Sequence, residues 1–343
     1  MSLVKYIIRR LIVMIPVLFG VLTLTFILSR LMPGDPVGSL LQARGIAKPT
    51  PELYNRVKNQ LGLNDPILMQ YFRYLGELFT GNWGVSVSIE WNKPVWDLFI
   101  ERFPKTLDLA IFSMIIAAFI GTKAGIISAK YRNKPPDTIV RGFALVGVAI
   151  PIFFLGMLLQ FVFAYQLSFL PATGYKTKAY EDPPFITGFV IIDSLITGKW
   201  YFIGDYIVHL ILPVFCLSFV TLASITRQTR SSMLEVLEQD YVRTARAKGC
   251  KEKTVIHSHA LRNALLPTLT IVGLNVAYLL GGAIITESTF GLVGIGTLFI
   301  ESIVLRDYWV LSAMVFITTI MLIATTLITD VLYAILDPRI RYA

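Results

Sequence analysis

The sequence has few charged residues, only two cysteines and only three histidines among its 343 residues. Charged residues make up 15% of the chain, against about 25% in ordinary soluble domains, which excludes a typical soluble protein. The two cysteines, Cys216 and Cys250, exclude a disulfide framework. His257 and His259 would lie on different faces of a helix, and His209 is remote from both in the chain, so we expect no shared metal site.

Long hydrophobic runs are abundant instead, since hydrophobic residues make up 55% of the chain. Most of the runs that lack Asp, Glu, Lys and Arg reach the roughly 20 residues that a helix needs to cross a bilayer. The runs are Leu11–Ser29, Leu109–Thr122, Gly142–Tyr175, Tyr206–Thr226, Asn263–Thr286 and Tyr308–Thr329. We predict an all-α integral membrane protein with six transmembrane helices. The first helix is expected to be retained, because no small-residue cleavage site follows it.

The charges between the runs predict the orientation in the membrane. If Met1 is cytoplasmic, six spans divide the polar segments between two sides. The inner segments are 1–10, 130–141, 227–262 and 336–343, and the outer segments are 30–105, 171–206 and 287–308. The inner segments carry 17 bases and 6 acids, and the outer ones carry 13 bases and 14 acids. The positive-inside rule therefore predicts that both termini are cytoplasmic, and the net charge of +9 requires no nucleic-acid partner.

A long outer segment follows the first predicted helix. Two prolines and a glycine in Met32–Pro36 must turn the chain, and Pro51–Leu61 and Pro66–Phe79 are typical of short amphipathic helices that begin at proline. This segment would shape the mouth of a pathway, contact an external partner, or merely cover helix ends. The predicted domains are a transmembrane helix over 1–32, an external subdomain over 33–103, and a five-helix core over 104–343 that includes a cytoplasmic segment at 235–265.

The most polar stretch between two apolar runs is Asp240–Pro267. Its pattern predicts a helix, a turn at Gly249, and a second helix over Lys251–Ala264, with Pro267 starting the fifth span. A helix pair outside the bilayer can insert into a groove on another protein. The alternative is a solvated basic loop held by lipid head groups.

The stretch resembles the cytoplasmic signature of ABC-importer permeases. DYVRTARAKG, at 240–249, followed by HALRNALLP, at 259–267, is similar to the dipeptide/oligopeptide branch of that family. Ala245, Gly249 and Leu261 match the wider family pattern, whereas Arg262 stands where that pattern has proline. Further matching segments are Met32–Pro36, Leu61–Leu63, His209–Pro213, Glu287–Phe290, Gly294–Gly296 and Arg306–Tyr308.

The resemblance implies a type I importer permease with a homologous second permease, two ABC ATPase subunits and an external solute-binding protein. The sequence has no Gly-x4-Gly-Lys-Ser/Thr phosphate loop. We therefore expect a non-catalytic subunit without a cofactor of its own, with ATP and Mg bound by the ATPase subunits. Peptides are the first substrate expected from the branch, and oligosaccharides or nickel are the alternatives.

The resemblance also implies which residues dock the ATPase. They are Asp240, Arg243, Thr244, Ala245, Arg246, Ala247, Lys248, Gly249 and Leu261. Ala245 and Gly249 would allow close approach of the partner. Arg243, Arg246 and Lys248 would meet acidic or carbonyl groups on it.

A second set of residues follows the fifth predicted span. An outer gate or a contact with the binding protein is expected at Glu287, Phe290, Gly294, Gly296, Arg306 and Asp307, and a purely structural hydrogen-bonding role for Glu287 is the alternative. The glycine-rich backbone at membrane level must line a cavity or be buried in protein. The acids Asp108 and Asp330 are expected at helix ends.

Two other classes of function are less consistent with the sequence. An intramembrane enzyme needs catalytic groups that converge at one depth, and the histidines and acids are scattered. A self-contained channel or secondary transporter needs paired charges within its spans, and these spans offer almost none. The chain also shows no internal repeat of the kind that many secondary transporters have.

Overall fold

A computed structural model of the protein describes residues 3–31, 35–43, 45–46 and 48–336. The helices are α1 (Leu3–Leu31), α2 (Pro36–Ala43), α3 (Pro51–Gln60), α4 (Ile67–Thr80), α5 (Val95–Lys130), α6 (Pro135–Ala149), α7 (Ile152–Leu159), α8 (Val190–Ile196), α9 (Trp200–Leu237), α10 (Asp240–Ala247), α11 (Glu252–Thr254), α12 (Leu261–Phe290), α13 (Ile295–Val304) and α14 (Tyr308–Leu336). Most of the described chain is helical, and the predicted all-α class is confirmed. Met32–Gly34 of the predicted turn, the chain end 337–343 and the side chain of Asp330 lie outside the described residues.

Four stretches of helix are long and apolar enough to cross a membrane. They are Ile7–Leu31, Val95–Lys130, Trp200–Leu237 and Tyr308–Thr329. Two pairs of shorter segments pass the same test only when joined: Pro135–Ala149 with Ile152–Gln166, and Ala283–Phe290 with Ile295–Val304. The chain is thus a protein with several membrane-spanning helices, and the number six stays a prediction.

The third predicted span is not straight. The run Gly142–Tyr175 is divided between α6 and a second arm over Ile152–Gln166 that begins with α7, and the two arms differ in direction by 106°. The break falls at Ile150, which is extended, and at Pro151, which has no N–H group to continue a helix. A π-helical turn over Gln160–Gln166 then ends this arm. Absence of charge predicted the length of the apolar run but not this bend.

Two prolines lie inside helices, although Pro267 was expected to start one. α5 begins at Val95 and runs through Pro104, and α12 begins at Leu261 and runs through Pro267. A proline removes one backbone hydrogen bond, and packing in a long membrane helix tolerates that loss. As a consequence, the expectation that Asp108 marks a helix end is wrong. Asp108 is buried within α5, where its carboxylate accepts a hydrogen bond of 3.0 Å from the Tyr206 hydroxyl.

The chain divides into two compact units. The large unit takes in the described residues within 1–7, 105–292 and 325–343, and the small unit those within 8–104 and 293–324. The large unit has its core around α9, with Phe202, Tyr206 and Leu217 among the buried side chains. The small unit has one apolar cluster that includes Leu98 and Met314, and a smaller cluster formed by α2, α3 and the loop after α4. The predicted domain boundaries stay predictions.

Close packing around α9 depends on small residues. A methyl group added at Gly125 of α5 would lie 2.5 Å from Cβ of Thr229 and 2.8 Å from the carbonyl oxygen of Thr226, both on α9. The backbones of α5 and α9 therefore approach more closely than any side chain at Gly125 allows. Small residues serve this purpose in membrane helices generally.

We predict that Gly125→Ala destabilises the protein by about 1–3 kcal/mol, because the added methyl group overlaps α9. Gly204→Ala is the matched control, since Gly204 lies in α9 with no atom within 4 Å of an added methyl group. The control should be neutral or stabilise by up to about 1 kcal/mol through helix propensity. Thermal unfolding of the detergent-solubilised protein measures both, and equal effects would contradict the packing assignment.

Candidate functional site

The polar segment after α9 folds as an amphipathic helix, α10, packed on its own chain. Val242 is fully buried and Ala245 is 6% exposed, and both pack against Val255 and the end of α9 at Leu237. Ala245 was expected to allow close approach of a partner. The structure differs, because this small side chain lets α10 approach the segment around Val255 in the same chain.

The end of α10 is closed by a glycine turn, as the sequence predicts. Gly249 has a φ of +76°, which glycine adopts without steric cost. The Gly249 amide donates to the Arg246 carbonyl at 2.9 Å, and the Cys250 amide donates to the Ala245 carbonyl at 3.2 Å. This pair of hydrogen bonds, with Cys250 packed on the same apolar cluster as Ala245, is a Schellman motif.

An ion pair joins the two sides of this turn. The guanidinium of Arg246 donates to both carboxylate oxygens of Glu252, at 2.9 and 3.2 Å. The hydrogen bond from Arg246 lowers the pKa of Glu252 below its usual range. Because the folded-state pKa is lowered, this pair stabilises the turn at neutral pH and is lost as the pH falls through that lowered value.

The other predicted docking residues form one exposed surface, which we name the α10 face. It comprises Asp240, Arg243, Thr244, Arg246, Ala247, Lys248 and Gly249, all exposed. Arg243 has only a long contact of 3.5 Å with Asp240, and both side chains are mostly exposed. Leu261 is separate from this face, because it packs against the apolar cluster beneath the segment. The α10 face therefore leaves arginine and lysine side chains accessible to a partner.

Apolar packing holds the segment to the long helices. Met233 of α9, Ala129 of α5 and Ala264 of α12 share one cluster with two residues of the π-helical turn over Val255–Ala260. The Asn263 side-chain amide also donates to the Tyr241 hydroxyl at 2.8 Å. The position of α10 is thus fixed from both α9 and α12.

A buried ion pair lies near the same end of α9, and sequence reasoning did not find it. Arg230 of α9 donates to both carboxylate oxygens of Asp137 in α6, at 2.8 and 2.9 Å. Asp137 is fully buried and also accepts hydrogen bonds from the Ser128 hydroxyl and the Asn133 amide. The sequence features that could have indicated this pair are Asp137, an acid just after Pro135-Pro136, and Arg230, a base in the polar end of a predicted span. Nothing in the sequence pairs residues so far apart in the chain.

The residues predicted near the other end of α12 belong to both units. In the large unit, Glu287 is buried and accepts a hydrogen bond of 2.5 Å from the Thr106 hydroxyl, and Phe290 is buried in the apolar core. α12 ends at Phe290, the following Gly291 has a φ of +60°, and the Gly174 amide donates to the Phe290 carbonyl.

The small unit holds the remaining predicted gate residues. Gly294 lies before α13, Gly296 is buried within it, and Arg306 is exposed with a φ of +57°. Asp307 is fully buried, and one of its carboxylate oxygens accepts hydrogen bonds from the Ser86 hydroxyl and from the amides of the following loop. Asp307 therefore fixes the loop after Gly84 to the start of α14. Among the described residues, no group of three or more His, Cys, Asp or Glu side chains could hold a metal ion.

The fold is similar to that of a solved transporter structure. It matches the crystal structure of an amino acid ABC transporter with histidines, with a TM-score of 0.50 and 15% sequence identity over 69% of this chain and 93% of that one. This likeness shows the type I ABC permease fold that was predicted. The chain belongs to the family of inner membrane components of binding-protein-dependent transport systems, whose family model matches residues 121–342. The family model for the N-terminal part of such components matches residues 3–110.

Several relatives match along their whole length. The chain is 41% identical to the dipeptide transport system permease protein of Alkalihalophilus pseudofirmus, over 99% of this chain and 100% of that protein. It is 39% identical to an oligopeptide transport system permease protein of Bacillus subtilis, over 98% and 99%. It is 37% identical to a glutathione transport system permease protein of Escherichia coli, over 99% and 100%. The resemblance to the dipeptide/oligopeptide branch is confirmed.

We predict that Arg230→Gln lowers the free energy of unfolding by about 3–5 kcal/mol, because it leaves the buried carboxylate of Asp137 without its cation. Arg132→Gln is the matched control. Arg132 forms an ion pair of 2.8 Å with Glu238, but both side chains are more than half exposed, so its loss should be at most about 1 kcal/mol. Denaturant unfolding in detergent measures both, and similar losses would contradict the assigned importance of the buried pair.

Proposed function

We propose that this chain forms half of the translocation pathway of an ATP-driven importer for short peptides. The observation that carries this proposal is the full-length similarity to three permeases named for dipeptide, oligopeptide and glutathione transport. All three cargoes are peptides. The proposed partners are a homologous permease, two ABC ATPase subunits that bind ATP and Mg, and an external solute-binding protein that delivers the cargo.

The proposal places both termini and the α10 face in the cytoplasm. The excess of lysine and arginine in the inner segments supports this orientation. α10 has one side occupied by its own chain, and its other side presents Lys248 and Arg243, of which Arg243 has only the exposed 3.5 Å contact with Asp240. An exposed, basic and rigidly held helix suits a docking contact with an ATPase subunit.

Force would pass from the ATPase to the membrane helices through α9. α10 is separated from α9 by two residues only. The cluster around Met233 holds α9 to α12, and the hydrogen bond from Asn263 to Tyr241 holds α10 to α12. The Arg230–Asp137 pair then joins α9 to α6. Closure of the ATPase subunits on ATP would thus rotate packed helices together, which is how rigid-body switching opens one side of a pathway and closes the other. This chain supplies the pathway and no catalytic group.

A second part of the proposal concerns the outer end of the pathway. Glu287, Phe290, Gly294, Gly296, Arg306 and Asp307 are proposed to form an outer gate or a contact with the binding protein. The break in the helical backbone at Gly291 and the buried Glu287 side chain support a structural element that changes with the state of the transporter.

The test is uptake into proteoliposomes that contain the complete importer and its binding protein. We predict ATP-dependent accumulation of labelled dialanine and none of a labelled trisaccharide. Uptake of the trisaccharide alone would contradict the peptide assignment. Dialanine uptake by this chain in liposomes without any ATPase subunit would contradict the importer mechanism itself.

A further inference from the structure

The small unit contains a cavity of about 260 Å³, and Arg306 is the one residue of its lining that also belongs to the proposed outer gate. One wall is a face of α4 with Gln70, Arg73, Tyr74 and Glu77, which are three or four residues apart and so lie on one side of the helix. The end of α1 and the first turns of α14 also line it. Ligand sites for drug-sized molecules are somewhat larger, about 300–1,000 Å³, so this cavity suits a small ligand.

Three buried polar atoms of this cavity have no hydrogen-bond partner among the described residues. They are Nε of Arg30, the hydroxyl of Tyr74 and the hydroxyl of Ser312. Tyr74 and Ser312 are each only 5% exposed. Buried polar groups are nearly always paired, because an unpaired one costs free energy. Three such atoms around one cavity point to a ligand that pairs with them.

Neighbouring hydroxyl groups outside the cavity lining do have hydrogen-bond partners. The lack of a partner is therefore specific to the hydroxyl groups that line the cavity. In α14, Thr318 donates to a backbone carbonyl four residues earlier at 2.6 Å, whereas Ser312 makes no such bond. In α4, the Tyr71 hydroxyl pairs with the Thr23 hydroxyl at 2.7 Å, whereas that of Tyr74 is unpaired. Both unpaired hydroxyl groups can therefore donate to a bound acceptor.

The cavity carries charges of both signs. The cations of its lining are Arg30, Arg73 and the exposed Arg306. The guanidinium of Arg30 is placed by stacking, 5.5 Å from the centre of the Tyr308 ring. Asp35 and Glu77 contribute carboxylates. A ligand with a single charge would meet both attractive and repulsive groups, whereas a small zwitterion can pair with groups of both signs.

Aromatic side chains supply the rest of the lining. Trp83, Tyr308 and Trp309 face the same space, and the Trp83 indole N–H is already used by the Leu78 carbonyl at 3.1 Å. Aromatic rings offer contact area to an apolar side chain of a ligand. The cavity thus offers charged and hydroxyl groups to the polar ends of a ligand and an aromatic surface to the apolar part between those ends.

We propose that this cavity binds a short zwitterionic peptide, with its carboxylate at Arg30, Tyr74 and Ser312 and its ammonium group at Asp35 and Glu77. The choice of a peptide rests on the proposed function. In the proposed orientation the cavity lies on the outer side of the membrane, so it would hold cargo where the binding protein delivers it.

The test uses the complete importer in lipid nanodiscs without its binding protein, and dialanine as the probe in saturation-transfer NMR. We expect saturable binding that weakens when the carboxylate of dialanine is amidated. Tyr74→Phe and Ser312→Ala should each weaken binding about tenfold, the effect of one hydrogen bond to a charged group. Neither variant should lower thermal stability without peptide, because each removes an oxygen that has no partner.

Tyr71→Phe is the matched control. It removes a hydroxyl that is paired with Thr23 and lies outside the cavity lining, so it should lower stability and leave dialanine binding unchanged. The proposal is overturned if the wild-type importer shows no saturable dialanine binding. It is also overturned if the amidated dialanine binds as well as dialanine does, or if both variants bind dialanine as well as the wild type does. A third contradicting result is displacement of dialanine by phosphoethanolamine, a lipid head-group probe, at a concentration lower than that of dialanine. A separate uptake assay uses the same importer reconstituted into proteoliposomes with its binding protein. Dialanine uptake without cavity binding refutes only the cavity site, and cavity binding without uptake refutes the proposed function.

Discussion

The buried pair of Arg230 and Asp137 is the interaction on which the described arrangement of the large unit depends most. It joins the polar end of α9 to the start of α6 by two hydrogen bonds between charged groups, and the Ser128 hydroxyl and Asn133 amide complete the carboxylate's partners. A buried charge pair of this kind is tolerated only when its geometry is good and its remaining lone pairs are satisfied. Its consequence is that the short turn between α5 and α6 cannot move independently of α9.

The same end of α9 carries α10, so fixing α9 also fixes the candidate coupling surface. The inward side of α10 is apolar and packs on Val255, and the outward side is basic. The Schellman motif at Gly249 and the bridge from Arg246 to Glu252 return the chain toward α12 within a few residues. A compact segment that is attached to two long helices transmits a displacement better than a loose basic loop would. α10 and its turn at Gly249 therefore have a mechanical role in the proposed importer.

Local sequence signals predicted a large part of this structure. Turn chemistry at Gly249, proline at the start of α3 and the apolar runs each act within a few residues, and the structure has the turn, the short helix and the long helices at those places. Packing and contacts between helices determined the features that these local signals did not predict. Pro104 and Pro267 are accommodated inside helices by packing, and the Arg230–Asp137 pair joins residues distant in the chain. The inward position of Ala245 depends on how α10 packs against Leu237 and Val255. The unpaired hydroxyl groups of Tyr74 and Ser312 likewise become visible only when the cavity is formed.

The central claim is that an ATPase docks on the α10 face specifically and not on any basic part of the segment. Copurification of the ATPase with Arg243→Glu and with Lys253→Glu tests this most directly, since the two reversals change charge equally and both residues are exposed. The account predicts at least about tenfold less ATPase with Arg243→Glu, because like charges at an interface cost several kcal/mol, and near wild-type recovery with Lys253→Glu. Equal loss from both variants, or no loss from Arg243→Glu, would contradict it.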